Sequence, residues 1–221
     1  MNTVIFDMDG LLIDSEPLWQ EAANEIFSNN NVSISKEEYD KTTGLRTAEF
    51  LEHWFNHFKL DKSLIPAWDK LIVEAVIKKV KNKGIVMNGV DYIFKFFEQH
   101  NFKIGLATSS PTSLIDAVVE MAGIKKYLQA TASAQDLAYG KPHPQVYLNC
   151  ATMLKSNPKD CICFEDSING MVAAKAAKMK CVIVPAPSQA KDLRFSLADL
   201  QLSSLQNFGQ LHLERLTNNL L

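Results

Sequence analysis

Short runs of apolar, often β-branched residues alternate along the chain with longer segments whose apolar residues recur every three or four positions. Four such runs are strand candidates, at residues 3–6, 103–107, 161–164 and 180–184. Each of the last three follows a segment with helical periodicity. Strands separated by helices are joined by crossover connections, so the pattern predicts an α/β fold with a parallel sheet and helices on both faces.

One stretch departs from this alternation. Between about residue 16 and residue 83 there is no convincing strand candidate, only helical spacing of apolar residues. This predicts a helical cap domain at residues 15–84, inserted into a core domain formed by residues 1–14 and 85–221. The chain crosses between the two domains at two junctions that lie close together. We therefore expect the junctions to act as a hinge and the insertion to act as a lid over the carboxyl edge of the sheet.

Composition and charge restrict the possible functions. The chain has 221 residues, 47% of them apolar, which is enough for a core domain with a smaller domain attached. Its 23 basic and 25 acidic residues leave a net charge of -2, so we expect no broad cationic face and no nucleic-acid partner. No apolar run approaches the roughly 20 residues of a membrane-spanning helix, so no membrane association is expected.

The N-terminal segment and the cysteines predict a cytoplasmic protein. The sequence MNTVIFDMDG has no basic start, and aspartates interrupt its apolar run, which is not typical of a secretory signal. The four cysteines have no CxxC spacing and lie among apolar neighbours, which favours buried, reduced thiols. The oligomeric state is not determined by these patterns, although a monomer is favoured over an assembly.

Carboxylates follow two of the predicted strands at the point where each strand ends. Asp7 and Asp9 come after the first strand, and Glu165 with Asp166 comes after the run at 161–164. Ligands of open α/β sheets bind at the carboxyl ends of the strands, so these four side chains are expected to converge. That much negative charge needs a hard cation such as Mg²⁺. A carboxylate can also act as a nucleophile that forms an aspartyl-phosphate, with its partner in DxD as acid and base.

Three further polar residues suit a phosphoryl group. Thr108 and Ser109 follow the second predicted strand where a helix begins, a position that favours anions. Lys141 supplies a compact positive charge from a loop before another helix. Each motif alone is weak evidence, because DxDG is also a common turn or calcium-loop fragment. Together, and in this order, they indicate phosphoryl transfer.

The four motifs resemble those of the haloacid dehalogenase superfamily. They read DMDGLLIDSEPLW, LATSSP, GKPHPQVY and FEDSINGM, and they span nearly the whole chain. The predicted insertion is similar to the helical cap of the β-phosphoglucomutase-like subgroup. This resemblance implies a Rossmann-like parallel sheet core flanked by helices, with an inserted α-helical cap domain.

The resemblance also implies a role for each carboxylate. Asp7 matches the nucleophile and a magnesium ligand. Asp9 matches the general acid and base, with its main-chain carbonyl on the metal. Asp166 matches a direct Mg²⁺ ligand, and Glu165 one that binds the metal directly or through water.

The substrate-binding residues follow from the same resemblance. Thr108, the amide of Ser109 and Lys141 match the groups that hold the transferring phosphoryl group. In the cap, residues 44–46 match a substrate-facing loop, where Arg46 would meet a distal hydroxyl or a second phosphate. A single arginine after glycine is also common as a solvated surface residue.

The predicted function is a Mg²⁺-dependent phosphatase of small sugar or sugar-alcohol phosphates of the hexose or hexitol 6-phosphate type. The first alternative is a phosphosugar mutase. Trp19 stands where β-phosphoglucomutases carry a histidine, and an indole N–H cannot accept a proton, so mutase activity is disfavoured. Trp19 could equally be a packing residue of the cap. The second alternative is a non-catalytic phosphosugar sensor or scaffold, which would have no use for a nucleophile beside an acid.

Overall fold

A six-stranded, entirely parallel sheet forms the centre of the computed structural model, which describes residues 1–42 and 45–217. Its strand order is β3-β2-β1-β4-β5-β6, the order of Rossmann folds. The prediction of a parallel α/β sheet is confirmed. The strands are β1 (Thr3–Phe6), β2 (Lys103–Thr108), β3 (Ala130–Ser133), β4 (Cys161–Glu165), β5 (Lys180–Ile183) and β6 (Leu200–Gln201).

Helices fill the connections between these strands. Four of them, α1 to α4, lie between β1 and α5, in the stretch without strand candidates. The helices are α1 (Glu16–Ser28), α2 (Lys36–Tyr39), α3 (Thr47–Phe58), α4 (Ile65–Lys83), α5 (Val90–Gln99), α6 (Thr112–Met121), α7 (Gln145–Met153), α8 (Ile168–Ala176) and α9 (Gln210–Thr217).

Two strands, β3 and β6, were absent from the sequence prediction. The sequence of β3 is ATAS, in which Thr131 is the single β-branched residue, and the two alanines and the serine give a weak strand signal. Space beside its neighbour β2 is limited, because a Cβ added to Gly105 would lie 2.6 Å from the Cys150 sulfur of α7. The strand β6 has only two residues, too few to show a period.

The central strand β1 is buried on both faces. Val4 and Phe6 pack on one side of the sheet, and Ile5 packs on the other. The Phe6 ring stacks on Phe94 of α5 at 4.7 Å and on Phe164 of β4 at 5.1 Å between centroids. Because β1 is held on all sides, the residues that follow its carboxyl end have a well-determined position.

The helical insertion has an aromatic cluster around Trp68, which is continuous with the apolar core on one face of the sheet. The Trp68 ring makes edge-on contacts with Phe27 of α1 and Phe55 of α3, at 5.0 and 4.9 Å between centroids. Aromatic pairs of this geometry stabilise by about 0.5–1.5 kcal/mol beyond their area burial. Contacts of this kind hold α1, α3 and α4 together as a unit.

The two crossings between the sheet and this helical unit run side by side. The Asp14 amide donates to the Ile85 carbonyl at 2.9 Å, and the Met87 amide donates to the Leu12 carbonyl at 2.9 Å. The linkers are therefore joined to each other by main-chain hydrogen bonds.

Two further sequence expectations bear on the fold. All four cysteines are buried and free, as predicted. No helix within the described residues is long and apolar enough to cross a bilayer.

Candidate active site

A buried ion-pair network lies at the carboxyl edge of the central strands. Asp7 directly follows β1, Glu165 is the last residue of β4, and Lys141 comes from the loop before α7. The Lys141 ammonium donates to Asp7 Oδ1 and to Glu165 Oε1, both at 2.6 Å. All three side chains are at least 90% buried, so the pairs are shielded from solvent. The network gives the Asp7 carboxylate a fixed orientation.

Negative charge exceeds positive charge in this network. Burial, together with Glu165 and Asp9, raises the pKa of Asp7 to about 7, although Lys141 opposes the rise. Burial, Glu165 and Asp7 likewise raise the pKa of Asp166 well above its usual value. Burial favours a lower pKa for Lys141, but Asp7 and Glu165 outweigh it and raise that pKa. One lysine does not compensate four neighbouring carboxylates, so the site favours an additional cation.

The residues present fit a divalent metal ion. Asp7, Glu165 and Asp166 each offer a carboxylate oxygen, and these oxygens lie within 4.8 Å of one another. Hard cations such as Mg²⁺ prefer oxygen ligands of this type. Gly10 leaves room for the Asp166 carboxylate, because an added Cβ would lie 2.1 Å from Asp166 Oδ2. Its φ of +72° also favours glycine. Close approach of the turn after Asp9 to Asp166 therefore requires glycine here.

Asp9 is held by hydrogen-bond donors on both of its oxygens. Ser15 Oγ and the Trp19 indole N–H donate to Oδ1 at 2.6 and 3.0 Å. Ser110 Oγ and Thr108 Oγ1 donate to Oδ2 at 2.6 and 3.3 Å. Trp19 belongs to the helical insertion, whereas Thr108 and Ser110 belong to the sheet's edge. Asp9 therefore joins the two parts of the molecule.

A cavity of about 70 Å³ lies between the sheet edge and the helical insertion. A water molecule needs about 10–15 Å³ by this measure, so the cavity holds several waters or the end of a small molecule. Its core side is polar and its helical side is largely apolar. It is lined from the core by Asp7, Asp9, Thr108, Ser109, Ser110, Lys141, Asp166 and Ser167, and from the insertion by Glu16, Trp19, Ala23, Tyr39, Thr42, Leu45, Arg46, Thr47, Phe50 and Ile72.

Arg46 lines this cavity and also fastens the insertion to the core. Its Nη1 donates to the carbonyls of Ala134 and Leu137 at 3.2 and 2.5 Å, and its Nη2 pairs with Glu49 at 2.6 Å. The Nε of Arg46 is buried and has no partner within the described part of the chain. Arg46 is thus not the solvated surface residue that its sequence context allowed.

The family model described as Haloacid dehalogenase-like hydrolase matches residues 4–184. This match covers most of the chain and includes all four motifs. The chain belongs to this family. The resemblance predicted from the motifs is therefore confirmed, and the parallel sheet with its edge cluster is the core of a haloacid dehalogenase-like hydrolase.

Within this family, the chain is similar to phosphatases of phosphorylated sugars and sugar alcohols by name. Hexitol phosphatase B of Escherichia coli (strain K12) is 40% identical over 202 residues, which cover 91% of each chain. The phosphorylated carbohydrates phosphatase of Thermotoga maritima is 30% identical over 178 residues, covering 80% of this chain and 82% of that protein.

Solved structures of family members share the fold. CbbY from Rhodobacter sphaeroides in complex with phosphate has a TM-score of 0.87 at 23% identity, covering 95% of this chain and 96% of that chain. β-Phosphoglucomutase from Clostridium difficile has a TM-score of 0.85 at 22% identity, covering 99% and 98%. These likenesses show the β-phosphoglucomutase-type fold of this hydrolase.

The structure brings the predicted site residues of the hydrolase to one place. All but Glu165 line the cavity, and Glu165 is fully buried and accepts a hydrogen bond from Lys141. The Ser109 hydroxyl is buried without a partner among the described residues, so it can still bind a ligand. Their chemical roles stay predictions. Gly44, which was placed with Arg46 in a substrate-facing loop, lies outside the described residues.

Four participants were not found from the sequence. Ser15 and Ser110 bond the Asp9 carboxylate, Glu49 holds Arg46, and Tyr147 donates to Glu165. Ser15 and Ser110 lie within the first two motifs, so their position was a usable signal. Tyr147 was concealed, because it lies in a stripe of buried apolar residues on α7.

The contact of Arg46 with the core predicts an effect of Gly140→Ala. A Cβ on Gly140 would lie 2.9 Å from both Arg46 Nε and Glu49 Oε2, which are held by their other bonds. We expect kcat/KM to fall by about tenfold, because the cavity wall is displaced, with little change in Tm. Gly209→Ala is the matched control, since an added Cβ there meets nothing within 4 Å. Equal kcat/KM values for the two variants would contradict this role of the contact.

Proposed function

We propose that this hydrolase is a Mg²⁺-dependent phosphatase of small sugar or sugar-alcohol phosphates of the hexose or hexitol 6-phosphate type, acting through an aspartyl-phosphate on Asp7. The observation that carries the proposal is the buried Asp7–Lys141–Glu165 network beside Asp9 at the end of β1. The name of the 40% identical relative, Hexitol phosphatase B, supports the substrate class. A small phosphorylated sugar or polyol is the expected partner, and we propose a cytoplasmic location.

The first half of the proposed reaction transfers the phosphoryl group to the enzyme. Asp7 attacks phosphorus in line and the ester oxygen leaves with the proton of Asp9, which must enter the step protonated. Lys141 balances charge on the transferring oxygens, while Thr108 and Ser109 bind the same group. The Asp7 side chain is fixed by Lys141, so little reorganisation is needed before attack.

The second half returns the enzyme to its starting state. Asp9, now ionised, takes a proton from a water molecule, and that water attacks the phosphorus on Asp7. Inorganic phosphate leaves, and Asp9 holds a proton again. Ser15, Trp19, Ser110 and Thr108 donate to the two oxygens of Asp9 and hold its carboxylate in place for this step.

The carboxylates would hold the metal throughout both half-reactions. Asp7, the main-chain carbonyl of Asp9 and Asp166 would hold Mg²⁺, and Glu165 would add negative charge beside them. When bound, Mg²⁺ supplies positive charge that offsets carboxylate repulsion and polarises the phosphoryl oxygens. The excess of carboxylates over lysine at this site supports its presence.

Residues 15–84 are proposed to act as a cap that opens about the paired linkers. The cavity of about 70 Å³ has room for several waters, whereas a six-carbon phosphate has many more heavy atoms. Such a substrate must therefore enter with the cap displaced. On closure the contacts of Trp19 with Asp9 and of Arg46 with the core re-form and exclude bulk water. Arg46 would then meet a distal hydroxyl or a second phosphate of the substrate.

Trp19 favours hydrolysis over the mutase alternative. Its indole N–H is already committed to Asp9 Oδ1 at 3.0 Å, and it has no basic atom to guide a sugar hydroxyl toward a phospho-enzyme. Water is then the acceptor. The fold neighbours include a β-phosphoglucomutase, so the mutase is the alternative that the experiment must exclude.

A phosphate-release screen tests the proposal. Hexose, pentose and hexitol phosphates are offered with and without Mg²⁺, and protein carrying Asp7→Asn serves as the blank for contaminating phosphatase. We expect the greatest kcat/KM on six-carbon 6-phosphates. In a second arm, β-glucose 1-phosphate is supplied with a catalytic amount of bisphosphate. Glucose 6-phosphate formed faster than free phosphate would favour the mutase and overturn the proposal.

The acid–base role predicts a large effect of Asp9→Asn. The amide keeps the size of the carboxylate but cannot give or take the proton, so kcat should fall by about 10² to 10⁴. Asp14→Asn is the control, because Asp14 is an exposed aspartate five residues along the chain. Steady-state phosphate release measures both variants. A loss of less than about tenfold would be too small for an acid–base residue.

A further inference from the structure

The Glu165 carboxylate is fully engaged by this chain. Its Oε1 accepts from Lys141 at 2.6 Å and from the Tyr147 hydroxyl at 2.5 Å. Its Oε2 accepts from the amides of Asp166 and Ser167 at 3.1 and 3.3 Å, and from Ser167 Oγ at 3.1 Å. A carboxylate offers about four lone-pair positions, so these five contacts saturate both oxygens.

The surroundings of Glu165 keep it in this orientation. The residue is fully buried, and α8 passes so close that a Cβ added to Gly170 would lie 1.7 Å from Oε1. The carboxylate therefore has no room to turn toward another partner. Its position is determined by the chain.

Tyr147 touches both members of the Lys141–Glu165 pair. Its hydroxyl donates to Glu165, and the Lys141 ammonium lies 4.9 Å from the centroid of its ring. Tyr147 is fully buried on α7, six residues after Lys141. A cation over an aromatic face is attracted by the ring, and desolvation strengthens that attraction.

We propose that Tyr147 is a positioning residue for Lys141, acting through Glu165 and through its own ring. The hydroxyl fixes Glu165 Oε1, and Oε1 together with the ring sets the place of the ammonium beside Asp7. Glu165 then serves as the anchor of the lysine, and direct metal ligation falls to Asp7 and Asp166. This inference rests on the proposed function, in which Lys141 balances charge on the transferring phosphoryl group.

Tyr147→Phe tests the role of the hydroxyl while keeping the ring. We expect kcat to fall by about ten- to a hundredfold, the range for one hydrogen bond to a charged group, with little change in KM. Orthovanadate, which mimics the transferring phosphoryl group, should bind more weakly by a similar factor. The affinity for Mg²⁺, measured by calorimetry without substrate, should stay unchanged.

Tyr92→Phe is the matched control. The Tyr92 hydroxyl also makes one hydrogen bond, to the Phe208 carbonyl at 2.8 Å, far along the chain from the site. Both variants could show the same loss of Tm while kcat and vanadate affinity stay unchanged in Tyr147→Phe. Tyr147 would then be a packing residue, and the inference would be overturned. Weaker Mg²⁺ binding in step with kcat would also overturn it, because Tyr147 would then act through the metal.

A double-mutant cycle identifies the residue on which Tyr147 acts. If it acts on Lys141, Tyr147→Phe should have no further effect on vanadate affinity in a Lys141→Met background. Additive losses would contradict the inference. A wild-type protein that neither releases phosphate nor binds vanadate would instead defeat the proposed function, so the two failures are distinguishable.

Discussion

Asp7→Asn should abolish turnover while leaving the protein folded. The substitution removes the attacking carboxylate, and residues that act as one unit lose several powers of ten in kcat when one is removed. The amide oxygen can still accept from Lys141, which also keeps its bond to Glu165. Phosphate release and the thermal unfolding midpoint measure the two parts of this prediction.

The expected stability of Asp7→Asn follows from the charge balance. Burial and the carboxylates of Glu165 and Asp9 raise the pKa of Asp7 to about 7, so the folded state disfavours its ionised form. When an acid has a higher pKa in the folded than in the unfolded state, the folded protein loses stability as the pH rises above the unfolded-state pKa. A neutral amide at the same position causes no such loss. We expect the Tm near pH 8 to be equal to or above that of the wild type. Retention of more than a tenth of the activity would defeat the assignment of Asp7 as the nucleophile.

Removal of magnesium is the second change with a large expected effect. A metal Lewis acid contributes several kcal/mol of charge stabilisation, so a chelator should lower kcat by at least about a hundredfold. Added Mg²⁺ should restore activity, and excess Ca²⁺ should inhibit, because its larger and more flexible oxygen shell disturbs in-line attack.

Binding of the metal is also measurable without turnover. Mg²⁺ at 100 times its Kd should stabilise the native state by about 2.7 kcal/mol, seen as a rise in Tm. Asp166→Asn should lose most of this rise, whereas Asp160→Asn, an exposed aspartate on the chain before β4, should keep it. Full activity in chelator, or a Tm that does not change when Mg²⁺ is added, would mean that the carboxylates hold no metal.

The sheet could be predicted where its strands are bulky and apolar. The runs that became β1, β2, β4 and β5 carry valine, isoleucine, leucine and phenylalanine, whose burial in a parallel sheet gives a clear signal. The two alanines of β3 pack in the same apolar cluster as Val146 and Tyr147 of α7, and small residues of this kind give little strand signal. Packing between elements distant in sequence decided its composition.

The site was predictable to the extent that its residues lie in motifs. Asp7, Lys141 and Glu165 each stand at the end of a strand or before a helix, where topology alone brings them together. The contact between the Tyr147 hydroxyl and Glu165 depends on the rotation of α7 about its axis. The same holds for Trp19, whose indole could pack in the cap or reach Asp9. Such contacts are set by helix orientation, which periodicity does not determine.

Trapping the phosphoryl group on the enzyme tests the role of Asp7 as nucleophile most directly. Protein with Mg²⁺ is mixed with a hexitol 6-phosphate, quenched in acid during turnover and digested, and the phosphorylated peptide is identified by mass spectrometry. We expect one acid-stable, hydroxylamine-labile phosphoryl group on Asp7, formed and lost at rates that match the release of inorganic phosphate. Steady phosphate release with no phosphorylated Asp7, or with the group on another residue, would contradict this role.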